Sequence, residues 1–328
     1  MDIAVLGSGS WATAIVKIAT QNHNKVYWWV RENEIVEGVR NYGRNPLFLR
    51  SCQLDTNKIE ITTDIKKVIS STDTIVLVIP SAFVEKSLQE LTPADFKNKT
   101  IISATKGIIP STNQIVADFL QNQFKVELEN QAVLSGPSHA EEIAQDGMTY
   151  LTIGAHNEIL AKELANKFSC RFVKTRTSTD IRGIEYSAVL KNIYALSAGI
   201  CKGAGYGDNF IAVLISNAAQ EMQRFLDVIA PNERDTNNFV YLGDLLVTAY
   251  SQHSRNRTFG QMIGQGYTVK SAQLEMSMIA EGYYATDCIH KTNENLGVDM
   301  PIANFAYKIL YQSSPLNQEL QELSERFK

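Results

Sequence analysis

The sequence predicts an α/β chain: a doubly wound, mostly parallel sheet in the N-terminal part, followed by an all-α C-terminal domain. Three observations predict it. Short β-branched runs alternate with amphipathic stretches through the first half, as in a parallel sheet covered by helices. A glycine-rich turn joins the first of these runs to the first helical stretch. Beyond about residue 178 the apolar spacing is helical and no convincing strand follows.

Strands are expected at 3–6, 26–30, 59–62, 74–79, 100–104, 132–135, 150–153 and 171–173. Several are continuously apolar, which suits strands buried on both faces. Helices are expected between them, among others at 11–22, 82–91 and 112–121. In the second part, Ile211, Leu214, Ile215, Ala218, Met222, Phe225 and Ile229 repeat at helical spacing, and Asp208-Asn209 reads as the start of that helix. The boundary is therefore set at 178/179, giving domains 1–178 and 179–328 with no low-complexity linker or solenoid repeat.

The 328 residues suit two domains of about 150 each. Hydrophobic residues make up 44% and charged residues 20%, enough for a core without disulfide or metal staples. Thirty-one basic against 35 acidic residues give a net charge of −4, which argues against a nucleic-acid partner but not against one small basic pocket. Cys52, Cys170, Cys201 and Cys288 are scattered, with no CxxC pair, so neither a zinc knuckle nor a disulfide framework is expected. His23, His139, His156, His253 and His290 form no HxxxH or HxH spacing, so no metal is expected. A strand-like run from Ile3 leaves no room for a signal peptide, and no apolar run is long enough for a membrane span. These features lead to a cytoplasmic expectation.

The opening DIAVLGSGSWATA carries a GxGxxA pattern in strand–turn–helix context. Gly7 permits the tight turn, Gly9 lets a pyrophosphate approach the backbone, and Ala12 allows close helix–strand packing. The helix then offers free N–H groups to phosphates. This is a dinucleotide-binding, Rossmann-like signature. After the second strand, Arg31 could neutralise a 2′-phosphate and favours NADPH, while Glu32 leaves NADH open.

Lys191 lies in a helical stripe with Ile184, Ala188, Ala195 and Ala198. A lysine among small apolar residues either snorkels outward or is kept for acid–base chemistry. Lys106 follows the run TIISAT, Gly136-Pro137-Ser138 follows AVLS, and Pro80-Ser81-Ala82-Phe83 follows TIVLVI. Ligands of open α/β sheets bind beyond strand carboxyl ends, so the three loops point to a cleft. Asp244 and Thr248 share a helix face, and Ser254-Arg255-Asn256-Arg257 at a helix start suits a phosphate.

Taken together, GSGSWATA, VIPS, ATKG, LSGPSHAEE, LKNIYALSAGI, GAGYGDN, GDLLVT, SRNRTFG and AEGYYA resemble the NAD(P)-dependent glycerol-3-phosphate dehydrogenases of bacterial type, over nearly the whole chain. The resemblance implies reduction of dihydroxyacetone phosphate to sn-glycerol 3-phosphate for glycerophospholipid synthesis. It makes Lys191 the proton-transfer lysine and Lys106 a contact to both substrate and cofactor. It makes Asp244, Thr248, Ser254, Arg255, Asn256, Gly136 and Ser138 substrate positions. Ser10, Trp11, Arg31, Phe83, Ala140, Ile279 and Glu281 match cofactor positions, with Arg255 near the cofactor as well. Ala12, where many members have glycine, and Phe48, where a tyrosine is usual, depart from the pattern. By analogy a homodimer is expected. Two rivals share parts of the pattern: a β-hydroxyacid dehydrogenase or other two-domain reductase, and a catalytically silent NAD(P)-binding sensor.

Overall fold

A computed structural model describes residues 2–276 and 280–327. The chain divides into two compact units: Met1–Thr105 with Gln114–Ile181, and Lys106–Asn113 with Arg182–Lys328. The second boundary thus falls three residues beyond the expected one. The short segment Lys106–Asn113 groups with the later residues, which a single cut at 178 does not express.

The first unit begins β1 (Ile3–Leu6), α1 (Ser10–Asn22), β2 (Val26–Trp29), α2 (Asn33–Tyr42), β3 (Ile59–Thr62), α3 (Ile65–Ser70), β4 (Thr74–Leu77), α4 (Ser81–Leu88) and β5 (Thr100–Ser103). After the two-residue strand β6 (Ile108–Ile109), which belongs to the second unit, the first unit resumes with the two-residue strand β7 (Gln114–Ile115), then α5 (Val116–Phe124), β8 (Gln131–Ser135), α6 (Ala140–Ala144), β9 (Thr149–Ala155), α7 (Glu158–Phe168) and β10 (Val173–Ser178).

Eight strands form one sheet in the order β10-β9-β8-β5-β4-β1-β2-β3. Every pairing is parallel except β8 with β9. The mostly parallel, doubly wound sheet is therefore as expected from sequence. β1, β4 and β8 are buried along their whole length, because helices cover both faces of a doubly wound sheet. The order reverses between β1 and β4. This is the switch point at which such sheets open a crevice beyond their strand ends.

Two local expectations are corrected. The last strand is not at 171–173 but at Val173–Ser178, and it is polar. It pairs on one side only, so Lys174 and Arg176 can remain exposed, as edge strands allow. The helix expected from 112 begins at Val116, because Asn113 turns through a left-handed conformation with φ 54°.

The second unit is helical: α8 (Ile181–Gly203), α9 (Asp208–Ile229), α10 (Asp244–Tyr250), α11 (Arg255–Gly264), α12 (Val269–Glu275), α13 (Glu281–Leu296), α14 (Pro301–Tyr311) and α15 (Leu316–Arg326). From Gly183 to Cys201, α8 is buried on every side, as a central helix must be. It can lie that deep because α11 comes close. A Cβ at Gly199 or Gly203 would overlap backbone oxygens of Arg257 or Gln261, and one at Gly260 or Gly264 would overlap those of Leu196 or Ile200. Two glycine pairs, each spaced by four, thus interlock along one seam and shorten the distance that side chains would otherwise set. Glu221 of α9 is fully buried and accepts from Ile302 N and Ala303 N at 2.8 and 3.0 Å, satisfying donors at the start of α14. Burial pushes its carboxyl up to about 7.

Candidate functional site

In the sheet unit, the adjacent parallel strands β8, β5, β4 and β1 point their carboxyl ends the same way. The glycine turn follows β1 at the switch point. Gly7 has φ 149°, and a Cβ there would overlap the carbonyl oxygen of Val78 and approach Ala12 Cβ at 3.3 Å. Glycine is therefore required at position 7, and Ala12 is the small neighbour the packing needs. Gly9 caps α1 without any side-chain hydrogen bond, and a Cβ there would meet nothing within 4 Å. The first turn of α1 carries no acidic residue. A pyrophosphate fits this end: open space in front, free N–H groups behind it, and no carboxylate in the turn to repel it.

The other sheet-unit candidates lie on or near these strand ends. Ser10 opens α1 and is buried, and Trp11 donates its indole N–H to Ala104 O at 3.0 Å. Phe83 is partly exposed on α4. Gly136, with φ 131°, follows β8; Ser138 donates to Gly136 O at 2.8 Å, and Ala140 opens α6. Arg31 is 72% exposed and its guanidinium pairs with Glu32 at 2.6 Å. Phe48 packs against the unit's core.

In the helical unit the chemistry is buried. Lys191 does not snorkel: its side chain is 4% exposed and its Nζ lies 2.5 Å from Asp244 Oδ2, itself 2% exposed. Asp244 is held at the first turn of α10, after a π-helical turn over Phe239–Gly243. Burial draws the Lys191 ammonium down to about 7, with Asp244 opposing and the positive charge of Lys106 adding to the fall. Thr248 donates to Asp244 O at 2.6 Å. Ser254 caps α11, accepting from Arg257 N at 3.3 Å, and Arg255, half-buried, is the first residue of that helix. Glu281 opens α13. Ile279 lies outside the described residues.

A line of amides ties these elements together. Asn192 donates to Lys106 O at 3.0 Å, and Asn256 donates to Asn192 Oδ1 at 2.9 Å. Asn256 in turn accepts from Gly282 N at 2.8 Å. Asn192 was not singled out by its sequence; its place beside Lys191 in the run KN was the one available signal. Among the described residues no group of three or more His, Cys, Asp or Glu side chains could hold a metal ion.

Backbone donors at a sheet switch point, with a buried lysine–aspartate pair in a helical unit, define a two-unit dinucleotide-dependent dehydrogenase. Comparison with known proteins narrows that class. Residues 2–161 match the model of the NAD-dependent glycerol-3-phosphate dehydrogenase N-terminus, and residues 180–321 match that of its C-terminus. The chain is 33% identical to the glycerol-3-phosphate dehydrogenase [NAD(P)+] of Syntrophomonas wolfei, over 99% of this chain and 95% of that one. It is 34% identical to the enzyme of the same name from Oceanobacillus iheyensis, over 99% and 94%. The crystal structure of glycerol-3-phosphate dehydrogenase from Coxiella burnetii superposes with a TM-score of 0.92 at 28% identity, covering 99% of both chains. The chain belongs to the NAD-dependent glycerol-3-phosphate dehydrogenase family.

Proposed function

We propose that this chain interconverts dihydroxyacetone phosphate and sn-glycerol 3-phosphate with NADPH or NADH, NADPH being favoured through Arg31. The observation that carries the chemistry is the buried Lys191–Asp244 pair, with Lys191 drawn down to about 7. A group with that pKa exists in both protonation states near neutral pH, the condition for efficient acid–base catalysis.

When bound, the nicotinamide supplies a hydride to C2 of the ketone, or accepts one from C2 of the alcohol. The residues of the chain manage charge and protons. In its ammonium form Lys191 donates a hydrogen bond and then the proton to the C2 oxygen as negative charge gathers there. In the reverse direction neutral Lys191 takes the hydroxyl proton. Asp244 holds Nζ in place. Lys106, a contact to substrate and cofactor, keeps Lys191 from becoming too basic. Arg255 and Asn256, with Ser254 and Thr248 beside them, bind the substrate phosphate and hydroxyls.

In the sheet unit, Gly136 and Ser138 serve the substrate. Gly7, Gly9, Ser10, Trp11, Phe83 and Ala140 serve the cofactor, as do Glu281, Ile279 and Arg255 of the helical unit. The same reading takes the protein to be a cytoplasmic homodimer that supplies glycerophospholipid synthesis. Among the described residues no helix is long and apolar enough to cross a membrane.

The test is loss of nicotinamide absorbance on mixing the protein with dihydroxyacetone phosphate, once with NADPH and once with NADH, across pH. Reduction needs the protonated lysine, so its kcat/KM should fall as pH rises through about 7. Oxidation of sn-glycerol 3-phosphate should rise over the same range. No turnover with either cofactor, despite clear cofactor binding, would favour one of the rival reductases and then the silent sensor.

A further inference from the structure

The carbonyls of the glycine turn are all held from behind. Gly7 O accepts the indole N–H of Trp28 at 2.7 Å. Ser8 O accepts from Asn45 Nδ2 at 2.9 Å. Gly9 O accepts both the backbone N–H and the hydroxyl of Thr13, at 3.0 and 3.1 Å. Trp28, Asn45 and Thr13 are each 0% exposed. Asn45 also donates to Thr13 Oγ1 at 2.9 Å, while its Oδ1 accepts from Leu47 N and Phe48 N at 3.1 and 3.0 Å. One amide thus uses both donors on the turn side and its oxygen on its own loop. Its orientation is fixed, because Ser8 O can only accept and the two N–H groups can only donate.

The geometry of a trans peptide makes this consequential. C=O and N–H point in opposite directions across one plane, and no cis bond is present among the described residues. Anchoring the carbonyls of Gly7, Ser8 and Gly9 inward therefore turns the N–H groups of Ser8, Gly9 and Ser10 outward. Among the described residues those three N–H groups have no acceptor. A rotated peptide would instead present a carbonyl dipole, negative end first, to an anionic ligand.

We propose that Asn45, acting with Thr13 and Trp28, is a positioning residue that sets the glycine turn in its diphosphate-accepting orientation. The proposal rests on the reading of this turn as a dinucleotide site. Asn45 and Thr13 touch the backbone of the turn from its protein side, so their effect falls on cofactor binding and leaves the substrate side alone.

The experiment is direct titration of NADPH by its fluorescence, with ADP as competitor, on wild-type protein and three variants. Asn45→Asp keeps the oxygen that accepts from Leu47 and Phe48 but has no donor for Ser8 O. Thr13→Val keeps the shape and loses the hydroxyl; Thr13→Ser restores it. The first two should raise the Kd for NADPH and the competition constant for ADP at least tenfold. Thr13→Ser should stay within twofold of wild type, and the KM for dihydroxyacetone phosphate at saturating NADPH should be unchanged for all three. If Asn45→Asp does not fold, the Thr13 pair decides. Variants that bind NADPH as wild type does, with only a lowered Tm, would overturn the proposal and leave the cofactor reading intact. Wild-type protein that binds neither NADPH nor NADH would overturn both.

Discussion

The two units bury different chemistry. In the sheet unit the fully buried polar groups are hydroxyls, amides and His23, and Asp180 beside its last boundary is its one buried charged residue among those described. In the helical unit Glu185, Lys191, Glu221, Asp244 and Glu319 are all buried. The first unit prepares its site with backbone N–H groups, whose charge is partial and fixed. The second prepares its site with side chains that gain and lose protons. A dipole set by the backbone tolerates pH, whereas a buried ammonium near its pKa is tuned by every neighbour. On the proposed reading, binding of a diphosphate and exchange of a proton fall to the structures physically suited to each.

The sharpest test of this division removes one side chain. Lys191→Ala should lower kcat roughly a hundred- to ten-thousand-fold and leave the Kd for NADPH within twofold. Stopped-flow turnover and fluorescence titration would measure the two, and a variant keeping most of its activity would break the comparison. The matching lesion in the sheet unit is to the backbone. Gly7→Ala forces an L-residue to φ 149° against the Val78 carbonyl, so unfolding in urea should show a loss of about 2–4 kcal/mol.

A third test concerns stability against pH. Glu221 is raised from 4.5 to about 7, so the folded state binds its proton more tightly than the unfolded state. Its contribution is greatest below about 4.5 and is lost as pH rises through about 7. Compared with Glu221→Gln, wild-type protein should lose about 1–3 kcal/mol of its advantage between pH 5 and 7.5. A constant difference would show that the carboxyl does not titrate there. The smallest effect belongs to an exposed side chain. Arg31→Ala should reduce the NADPH-to-NADH ratio of kcat/KM about threefold to tenfold, and an unchanged ratio would leave the 2′-phosphate to other groups.

What the sequence revealed follows the same division. The glycine turn and the central strands were legible because their signals are local: β1 is a continuous apolar run and Gly7, Gly9 and Ala12 sit within six residues. Lys191 stood out as a charge in a small apolar stripe, yet the same stripe was compatible with snorkelling. Its burial depends on Asp244, 53 positions away, and on the glycine seam with α11. β10 was misplaced because VKTRTS joins the sheet by backbone pairing to β9 alone, with no apolar run to announce it. Asn45 and Glu221 gave no usable pattern, since Ser8, Thr13, Ile302 and Ala303, which they bond, lie far from them in sequence, and Asn192 was marked only by its place beside Lys191.

The segment Lys106–Asn113 has a consequence for how the molecule is made. Its Lys106 carbonyl is bonded by Asn192, 86 residues later in the chain. A ribosome adding about 5–20 residues per second needs roughly 4–17 s to deliver that amide. During this interval the strands on either side have emerged while the segment still awaits the helix that secures it. A cut at residue 178 would leave Lys106–Asn113 on the earlier fragment and deprive the later one of Lys106.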